Sequence, residues 1–455
     1  MRRATIRKMI ALLCALILTV SCMACGSKTE SRENKSQPGK ETADPTKTAD
    51  PTKAADPTKA ADPTGTPGGS STELTASSGA PAAKKSMDDV MREAYEKFAY
   101  DLLNKMKPGE TRMISPFSVY TALAMLANGA DGNTLTQIND MLGLTNEERN
   151  AYMAGWIEEL TREVEDGAAF TNADSVWIKD ALANNVPAEF LATCANSYKA
   201  AVFKAAMDTG SIADINRWVA VNTKDMIKKI IDDLPQNCSM VLVNAISLEA
   251  KWMNPFETEQ IRKDYDFTRE DGTVKKVDMM MGEADGRYLE NDLATGFVKS
   301  YKGGQFQYIA LLPKEGVSVE QLVASLKPGT LEELRANAKH GDVYIGMPRY
   351  EEEYSVSLSE SLQALGMKDA FDRNNSNFDR MITGVDGPTY ITDVLHKTYI
   401  SVDNEGTRAA AVTAILVATD ACAEPSPSYR VVLDRPFVYM ITDSEGLPIF
   451  IGTYE

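Results

Sequence analysis

Histidine is nearly absent from this chain, since its 455 residues include only His340 and His396. Two histidines cannot build a multi-histidine metal site, and they leave little room for a Ser-His-Asp hydrolase. No G-x-S-x-G motif stands near a possible triad. We therefore expect no metal, no cofactor and no enzymatic activity.

An excess of positive charge is also missing. The chain has 48 Lys and Arg against 65 Asp and Glu, which gives a formal net charge of −17. Phosphate binding needs clustered Lys and Arg, so the balance argues against nucleic acid as a partner. Hydrophobic residues make up 43% and charged residues 25%, which is ordinary for a globular protein.

Cysteine is sparse outside the N-terminus. Three of the six cysteines lie in the first 25 residues, and Cys194, Cys238 and Cys422 are widely spaced. No C-x-x-C pair follows residue 25, so the spacing indicates neither a zinc site nor a disulfide framework.

Residues 1–25 have the pattern of an export signal. A basic start is followed by the apolar run Met9–Val20, which is too short for a membrane span. The run ends in Ser-Cys-Met-Ala-Cys-Gly-Ser, which resembles a bacterial lipoprotein cleavage site. We expect lipidation at Cys25, with Cys22 as the alternative, although neither has the usual Leu three residues upstream. The protein would then be extracellular and anchored to the bacterial cell envelope, without spanning the membrane. Plain secretion is the other possibility.

Residues 26–85 are predicted to be a disordered tether. The motif Ala-Asp-Pro-Thr-Lys recurs at residues 43–47, 49–53 and 55–59, with a fourth, altered copy near Gly65. Such repeats have no apolar side chains to bury. A regular proline spacing favours an extended, semi-stiff chain that holds the folded part away from the envelope.

Residues 86–455 contain no second linker, which predicts one large domain. Its first half has helical periodicity and its second half has β-branched and aromatic runs, so the expected class is α+β. The predicted helices are 88–105, 118–128, 136–142 and 147–165, and the predicted strands are 240–248, 308–312, 343–347, 398–402 and 437–442.

An ordered set of short strings then resembles the serpins, a superfamily of serine protease inhibitors. The strings are Ile114–Val119, Ala122–Leu126, Gly129–Thr134, Val243–Ile246, Lys251–Trp252, Pro255–Phe256, Met279–Met281, Leu311–Pro313, Met347–Tyr350, Leu365–Met367, His396–Lys397, Gly406–Thr413, Asp434–Phe437 and Phe450–Gly452. The resemblance covers residues 88–455. It implies three β-sheets, about nine helices and an exposed reactive-centre loop at about 404–430.

In this family a protease cuts the loop, and the loop's N-terminal part, the hinge, then inserts as a strand into the large sheet. Every second hinge side chain must enter the core. The hinge residues are Glu405, Gly406, Thr407, Ala409, Ala410, Ala411 and Thr413. In the family register Thr407, Ala409, Ala411, Thr413 and Ile415 face inward, and none is charged, whereas Arg408 faces solvent.

This hinge predicts a suicide inhibitor, a monomer that forms a covalent complex with a serine protease. One departure is Asn404, where many inhibitors carry an acid. A non-inhibitory serpin acting as a surface binding module is the main alternative, and a surface hydrolase and a glycan-binding lipoprotein are the others.

The reactive bond depends on how the loop is counted. Counting forward from Gly406 places the cut between Asp420 and Ala421, with Thr419 and Cys422 as alternative cut positions. Counting backward from Arg435 places it near Glu424. The segment 415–419 lacks Lys and Arg, so we expect an elastase-like or subtilisin-like target.

The resemblance also implies two polar sites in the large sheet. Ser115, Ser118, Asn244 and His396 match the shutter, a polar cluster beneath the point where the strands part. Buried histidine needs partners for its ring nitrogens, which Ser and Asn could supply; an ordinary core histidine is the alternative. Trp252 matches the breach, where insertion starts, or is simple core packing.

Overall fold

The computed structural model describes residues 71–75, 82–108, 111–165, 167–234, 238–384, 389–407 and 427–455. Nine α-helices lie in these ranges: α1 (Asp89–Asn104), α2 (Pro116–Ala127), α3 (Gly132–Leu142), α4 (Asn146–Leu160), α5 (Ala188–Tyr198), α6 (Thr209–Asn222), α7 (Val319–Ser325), α8 (Thr330–Ala336) and α9 (Ser359–Ala364). Three short 3-10 helices cover Asp180–Asn185, Thr258–Gln260 and Asp369–Phe371. No helix in the described ranges has the length and apolarity needed to cross a membrane.

Eighteen strands form three sheets in the described part of the chain. They are β1 (Thr72–Glu73), β2 (Arg112–Ile114), β3 (Ala169–Lys179), β4 (Ala201–Ala205), β5 (Met240–Lys251), β6 (Ile261–Thr268), β7 (Val274–Glu283), β8 (Arg287–Glu290), β9 (Ala294–Ser300), β10 (Phe306–Pro313), β11 (Lys339–His340), β12 (Asp342–Pro348), β13 (Tyr350–Ser357), β14 (Leu395–Val402), β15 (Gly406–Thr407), β16 (Ser428–Val432), β17 (Phe437–Asp443) and β18 (Pro448–Tyr454). Sheet A has the order β1-β4-β3-β5-β15-β14-β13, sheet B the order β11-β8-β9-β10-β17-β18-β2, and sheet C the order β16-β12-β7-β6.

Sheet A separates two hydrophobic cores, because alternate side chains of a strand point to opposite faces. Even-numbered residues of β5, such as Ile246 and Leu248, belong to the larger core. Odd-numbered ones, such as Val243 and Ala245, pack with Trp218 of α6 in the smaller core. A strand added to sheet A must therefore satisfy both cores.

Helix α2 lies in the larger core between β5 of sheet A and β18 of sheet B. Ser115 is its N-cap and Pro116 its first residue, as the Ser-Pro sequence predicts. Every residue of α2 is buried, because sheets cover it on two sides. Its capped start therefore has a fixed position beneath sheet A.

The predicted α+β class and three-sheet fold are confirmed, and the predicted helices and strands occur with shifted ends. The helix expected over 147–165 ends at Leu160. The first half is less helical than predicted, since β3 runs over Ala169–Lys179 and carries several polar residues that hide its strand pattern. Within the predicted tether, Thr72–Glu73 pair with β4 and form the outermost strand on that side of sheet A in the described residues.

Candidate insertion site in sheet A

The chain leaves β14 at Val402 and turns back into sheet A within four residues. The Asp403 side chain closes the turn, because its Oδ1 accepts hydrogen bonds from the backbone N–H groups of Glu405 at 2.9 Å and Gly406 at 3.1 Å. The Asp403 N–H donates to the Gly406 carbonyl at 2.9 Å. A short acidic side chain bonded to the backbone two residues ahead is a common way to hold a turn.

After the turn, β15 lies between β5 and β14 and joins these two strands. Gly406 aligns with Lys251, and Thr407 aligns with Ala250 on one side and Val402 on the other. A side chain at Gly406 would place its Cβ 2.1 Å from the Ala250 carbonyl oxygen. The structure therefore requires glycine at position 406 for the close approach of two strands.

Thr407 faces the larger core. The residue is 3% exposed, and its hydroxyl shares a 2.6 Å hydrogen bond with the buried Tyr301 hydroxyl. The hinge register predicts this inward orientation, and the polar group that it buries is satisfied. The first inward position of the hinge is therefore already docked.

Trp252 holds the same turn from the other side. Its indole N–H donates to the Asp403 carbonyl at 2.9 Å, its backbone N–H donates to the Glu405 carbonyl at 2.8 Å, and its ring stacks on Tyr301 at 4.4 Å. It is thus both a core residue and a hydrogen-bond donor to the turn. We call Trp252, Tyr301, Asp403, Gly406 and Thr407 the entry site.

A buried lysine supports the entry site. The Lys299 ammonium donates to the backbone carbonyls of Asn254 at 2.8 Å and Glu283 at 3.2 Å, and it lies 4.4 Å from the centre of the Phe256 ring. Burial lowers the pKa of Lys299 to about 8. Because the Phe256 N–H donates to the Asn404 carbonyl at 2.8 Å, Lys299 connects sheet C to the segment that receives the turn.

Farther along sheet A, His396 of β14 is buried and bonded to the start of α2. Its Nε2 accepts a hydrogen bond from the Ser115 backbone N–H at 3.0 Å, so this nitrogen carries no proton. The Ser115 hydroxyl donates to the Ile449 carbonyl at 2.8 Å and accepts the Ser118 N–H at 3.2 Å. Burial lowers the pKa of His396 from 6.5 to about 4, so the ring is neutral at pH 7.

Asn244 of β5 bonds to a carboxyl group that the sequence reading overlooked. Its Nδ2 donates to Oδ1 of Asp174 on β3, and the Asn172 amide donates to Oδ2 of Asp174 at 2.8 Å. Asp174 is 1% exposed, and burial raises the pKa of its carboxyl to about 7. We call Ser115, Ser118, Asp174, Asn244 and His396 the mid-sheet cluster.

Within the described residues, the members of the predicted shutter form two separate hydrogen-bonded groups. Ser115 and His396 form one hydrogen-bonded pair, and Asn244 and Asp174 form another, but no hydrogen bond in the described ranges joins Asn244 to His396. The two residues lie on β5 and β14, and these strands are linked through β15. The network is therefore divided along the line where the sheet would open.

Several polar atoms of the mid-sheet region are buried without a hydrogen-bond partner among the described residues. They are Ser118 Oγ, Asn172 Oδ1, Asn244 Oδ1 and Ser247 Oγ. An unsatisfied buried polar group costs about 1–3 kcal/mol. Within the described residues, the middle of sheet A therefore has buried polar atoms that could accept a new hydrogen-bond partner.

The other predicted site residues lie outside the described ranges, and their roles stay predictions. They are the hinge residues Ala409, Ala410, Ala411 and Thr413, the bond residues Thr419, Asp420, Ala421 and Cys422, and the lipidation residues Cys22 and Cys25. Cys194 and Cys238 are buried free thiols. The described residues contain no group of three or more His, Cys, Asp or Glu side chains arranged to hold a metal.

Four residues that form bonds in the candidate site were not predicted from the sequence: Asp174, Lys299, Tyr301 and Asp403. Asp403 had a detectable signal, since Asp-Asn-Glu-Gly is a typical turn sequence. The others had none, because each acts on a residue more than forty positions away in the chain.

Comparisons with known proteins agree with this geometry. Residues 93–455 match the family described as "Serpin (serine protease inhibitor)". An uncharacterized serpin-like protein of Thermococcus kodakarensis is 28% identical over 80% of this chain and 87% of its own length, and neuroserpin of Gallus gallus is 25% identical over 78% of this chain and 88% of its own.

Among solved structures, the native state of tengpin, a thermophilic serpin, superposes with a TM-score of 0.78 and 36% identity, covering 84% of this chain and 98% of that chain. Thyroxine-binding globulin in complex with thyroxine gives a TM-score of 0.71 and 25% identity, covering 80% of this chain and 98% of that chain. Serpins are generally protease inhibitors rather than enzymes, although some are non-inhibitory, and this chain shares their three-sheet fold. This chain belongs to the serpin family.

Proposed function

We propose that this protein is an irreversible suicide inhibitor of serine proteases. The observation that carries the proposal is β15, because the first inward hinge residue, Thr407, is already paired with β5 and β14. Because the start of the loop already lies between these two strands, insertion can begin there without the loop first having to find its place in the sheet.

The register of β15 defines where the rest of the hinge would go. Continued without a shift, it aligns Ala409 with Leu248 and Ile400, and Ala411 with Ile246 and Thr398. Small uncharged side chains can occupy these inward positions without overpacking the core or burying a charge. Thr413 would arrive between Asn244 and His396, the two sides of the divided network.

Insertion of the hinge into sheet A supplies the free energy that drives the proposed inhibition. Each inserted residue gains ladder hydrogen bonds to strands on both sides, and a polar strand arriving at the mid-sheet cluster offers partners to atoms that now lack them. If cleavage leaves the protease attached as an acyl-enzyme, insertion moves that protease away from the entry site. Distortion of its active site then prevents hydrolysis of the ester.

The target is proposed to be an elastase-like or subtilisin-like serine protease. The sequence before the predicted bond Asp420–Ala421 contains aliphatic and small residues and no Lys or Arg over 415–419. We further propose that the protein works as a monomer on the outside of a bacterial cell envelope, held by lipid on Cys25 or Cys22. The sequence of residues 1–25 supports this location.

The alternative is a non-inhibitory serpin that acts as a surface binding module. It has one observation in its favour, since a similar structure is that of thyroxine-binding globulin with thyroxine. The neutral inward face of the hinge favours inhibition instead.

Incubation with pancreatic elastase and with subtilisin, followed by SDS electrophoresis, tests the proposal. We expect a covalent complex of about the summed mass and a small released fragment, whose mass identifies the cut bond. The variant Thr407→Arg should be cut without forming the complex. Cleavage of the unaltered chain by both proteases with no complex would refute inhibition of this class and favour a binding module.

A further inference from the structure

Asp174 is a buried carboxyl in the middle of the sheet that must open. It is 1% exposed, and no ion pair joins it to a cation in the described part of the chain. Its two oxygens accept hydrogen bonds from the amides of Asn172 and Asn244. A carboxyl group placed this way is costly when ionised, because two neutral amides replace its hydration.

The two amide groups show why the charge state of Asp174 affects the hydrogen bonding around it. Both turn their NH2 groups to Asp174, and both Oδ1 atoms are buried without a partner among the described residues. An ionised carboxylate only accepts hydrogen bonds and enforces this arrangement. A protonated carboxyl can donate its O–H to one Oδ1 once that amide turns over, which satisfies an atom that is otherwise unpaired.

No neighbouring charge obscures this behaviour. Lys204 on β4 aligns with Ile178, four residues along β3 from Asp174, and is partly exposed. On the opposite face of the sheet, Asp214 and Arg217 of α6 pair with each other at 3.2 Å. Four buried titratable residues on the same side of the sheet are neutral at pH 7, because burial raises the pKa of the tyrosines and the thiol and lowers that of the imidazole: Tyr120 on α2, Cys194 and Tyr198 on α5, and His396 on β14. The buried Arg149 of α4 donates to the carbonyls of Gly143 and Leu144 and forms no ion pair with Asp174.

We propose that Asp174 is a positioning residue for loop insertion, whose charge state sets how readily β5 separates from β14. Protonation completes the hydrogen bonding on the β5 side of the mid-sheet cluster and favours the closed sheet. Ionisation favours the open sheet, because opening brings water or new polar partners to the charge. The proposal rests on the inhibitory mechanism proposed above, in which insertion requires this separation.

Uptake of a synthetic hinge peptide tests the proposal without a protease. The peptide has the sequence of residues 407–419 with blocked ends, so it carries only Arg408 and does not titrate between pH 5.5 and 8.5. The full chain is incubated with it, and native mass spectrometry follows the gain in mass. If opening lowers the pKa of Asp174 from about 7 by about one unit, uptake should rise about fivefold from pH 6 to pH 8.

Three variants separate Asp174 from other causes. Asp174→Asn keeps the shape and removes the titration of this carboxyl, so its uptake should be flat between pH 6 and pH 7, a range in which Lys299, with a pKa of about 8, stays charged. Asn172→Ala removes a hydrogen bond that lowers the pKa of Asp174, so the midpoint should move to higher pH; this variant also serves if Asp174→Asn does not fold. Asp443→Asn is the matched control, since Asp443 is another buried carboxyl whose pKa burial raises, to about 6, but it lies in sheet B. Peptide uptake by Asp443→Asn should still rise from pH 6 to pH 8.

Flat uptake by the unaltered chain, an unchanged rise in Asp174→Asn, or loss of the rise in Asp443→Asn would each overturn the proposal. Uptake at no pH would contradict the separation of β5 from β14 itself. A chain that shows the expected profile but inhibits no protease would leave Asp174 in control of sheet opening and remove only the inhibitory function.

Discussion

The entry site and the mid-sheet cluster lie in the same sheet but treat buried polar groups in opposite ways. At the entry site, the Thr407 hydroxyl, the Trp252 indole and the Asp403 carboxylate all have partners. In the mid-sheet cluster, Ser118 Oγ and Asn244 Oδ1 have none among the described residues. Under the proposed mechanism, insertion would begin at the entry site, where the buried polar groups have partners, and would bring new partners to the mid-sheet cluster, where some polar atoms have none among the described residues.

The largest expected effect comes from charging the entry site. In Thr407→Arg, a guanidinium must enter the core beside Tyr301 or pull β15 out of the sheet. An unpaired buried charge costs several kcal/mol, so the rate of complex formation should fall by at least about 100-fold. Stopped-flow loss of protease activity measures this rate.

The control for this variant is Thr407→Ser, which keeps the hydroxyl that bonds to Tyr301 and should inhibit within a few-fold of the unaltered chain. Equal losses in both variants would mean that β15 responds to any change rather than to charge.

The next largest effect distinguishes His396 from Asp174 in the mid-sheet cluster, through the pH dependence of protein stability. The folded-state pKa of His396 is lowered from 6.5 to about 4, so its contribution to stability is lost as pH falls through this window. The folded-state pKa of Asp174 is raised from 3.8 to about 7, so its contribution is lost as pH rises through that window. Between pH 4 and pH 6.5 the two slopes oppose each other.

Single variants should reveal these slopes. Relative to the unaltered chain at the same pH, Asp174→Asn should gain stability as pH rises from 4 to 6.5, and His396→Gln should lose it, each by up to about 3 kcal/mol. The contributions of other buried groups, such as Asp443, cancel in these differences. Urea unfolding midpoints at several pH values measure both. Slopes of the same sign in the two variants would contradict the assignment.

The predictability of these regions from the sequence also differs. Regular apolar spacing was enough for α1 and α2, and the family register was enough for the inward orientation of Thr407. The strand β3 was missed because Asn172, Asp174 and Ser175 break its apolar pattern. Their burial depends on β5, whose residues are about seventy positions away, and no local rule contains that information.

Functional residues were predicted where they belong to a short sequence motif, and they were missed where they contact residues that are distant in the chain. Ser115 and His396 could be predicted together, but the atoms that join them could not, because the bond uses the Ser115 backbone N–H rather than its hydroxyl. Counting the loop forward and backward gave different positions for the reactive bond for a related reason. The packing of the sheets does not fix the number of loop residues that follow the cut.

A smaller effect is expected from the hydrogen bond that docks the hinge. Tyr301→Phe keeps the ring that stacks on Trp252 but leaves the Thr407 hydroxyl buried without its partner, which should cost about 1–3 kcal/mol. Thermal unfolding measures this cost. Adding Thr407→Val should recover part of it, because the orphaned hydroxyl is then gone; a double variant less stable than Tyr301→Phe would show that the bond is not the main contribution.

The smallest effects compare two serines three residues apart. Ser115→Ala removes the cap of α2 and the bond to the Ile449 carbonyl, so it should destabilise the protein by about 1–2 kcal/mol. Ser118→Ala removes a buried hydroxyl that has no partner among the described residues, so it should be neutral or stabilising by up to about 1 kcal/mol. A more stable closed sheet should also insert a hinge peptide more slowly. If Ser118→Ala instead destabilises the protein as much as Ser115→Ala, its hydroxyl is satisfied in solution. The contrast between a complete entry site and an incomplete mid-sheet cluster would then have to rest on Asn244 and Asp174 alone.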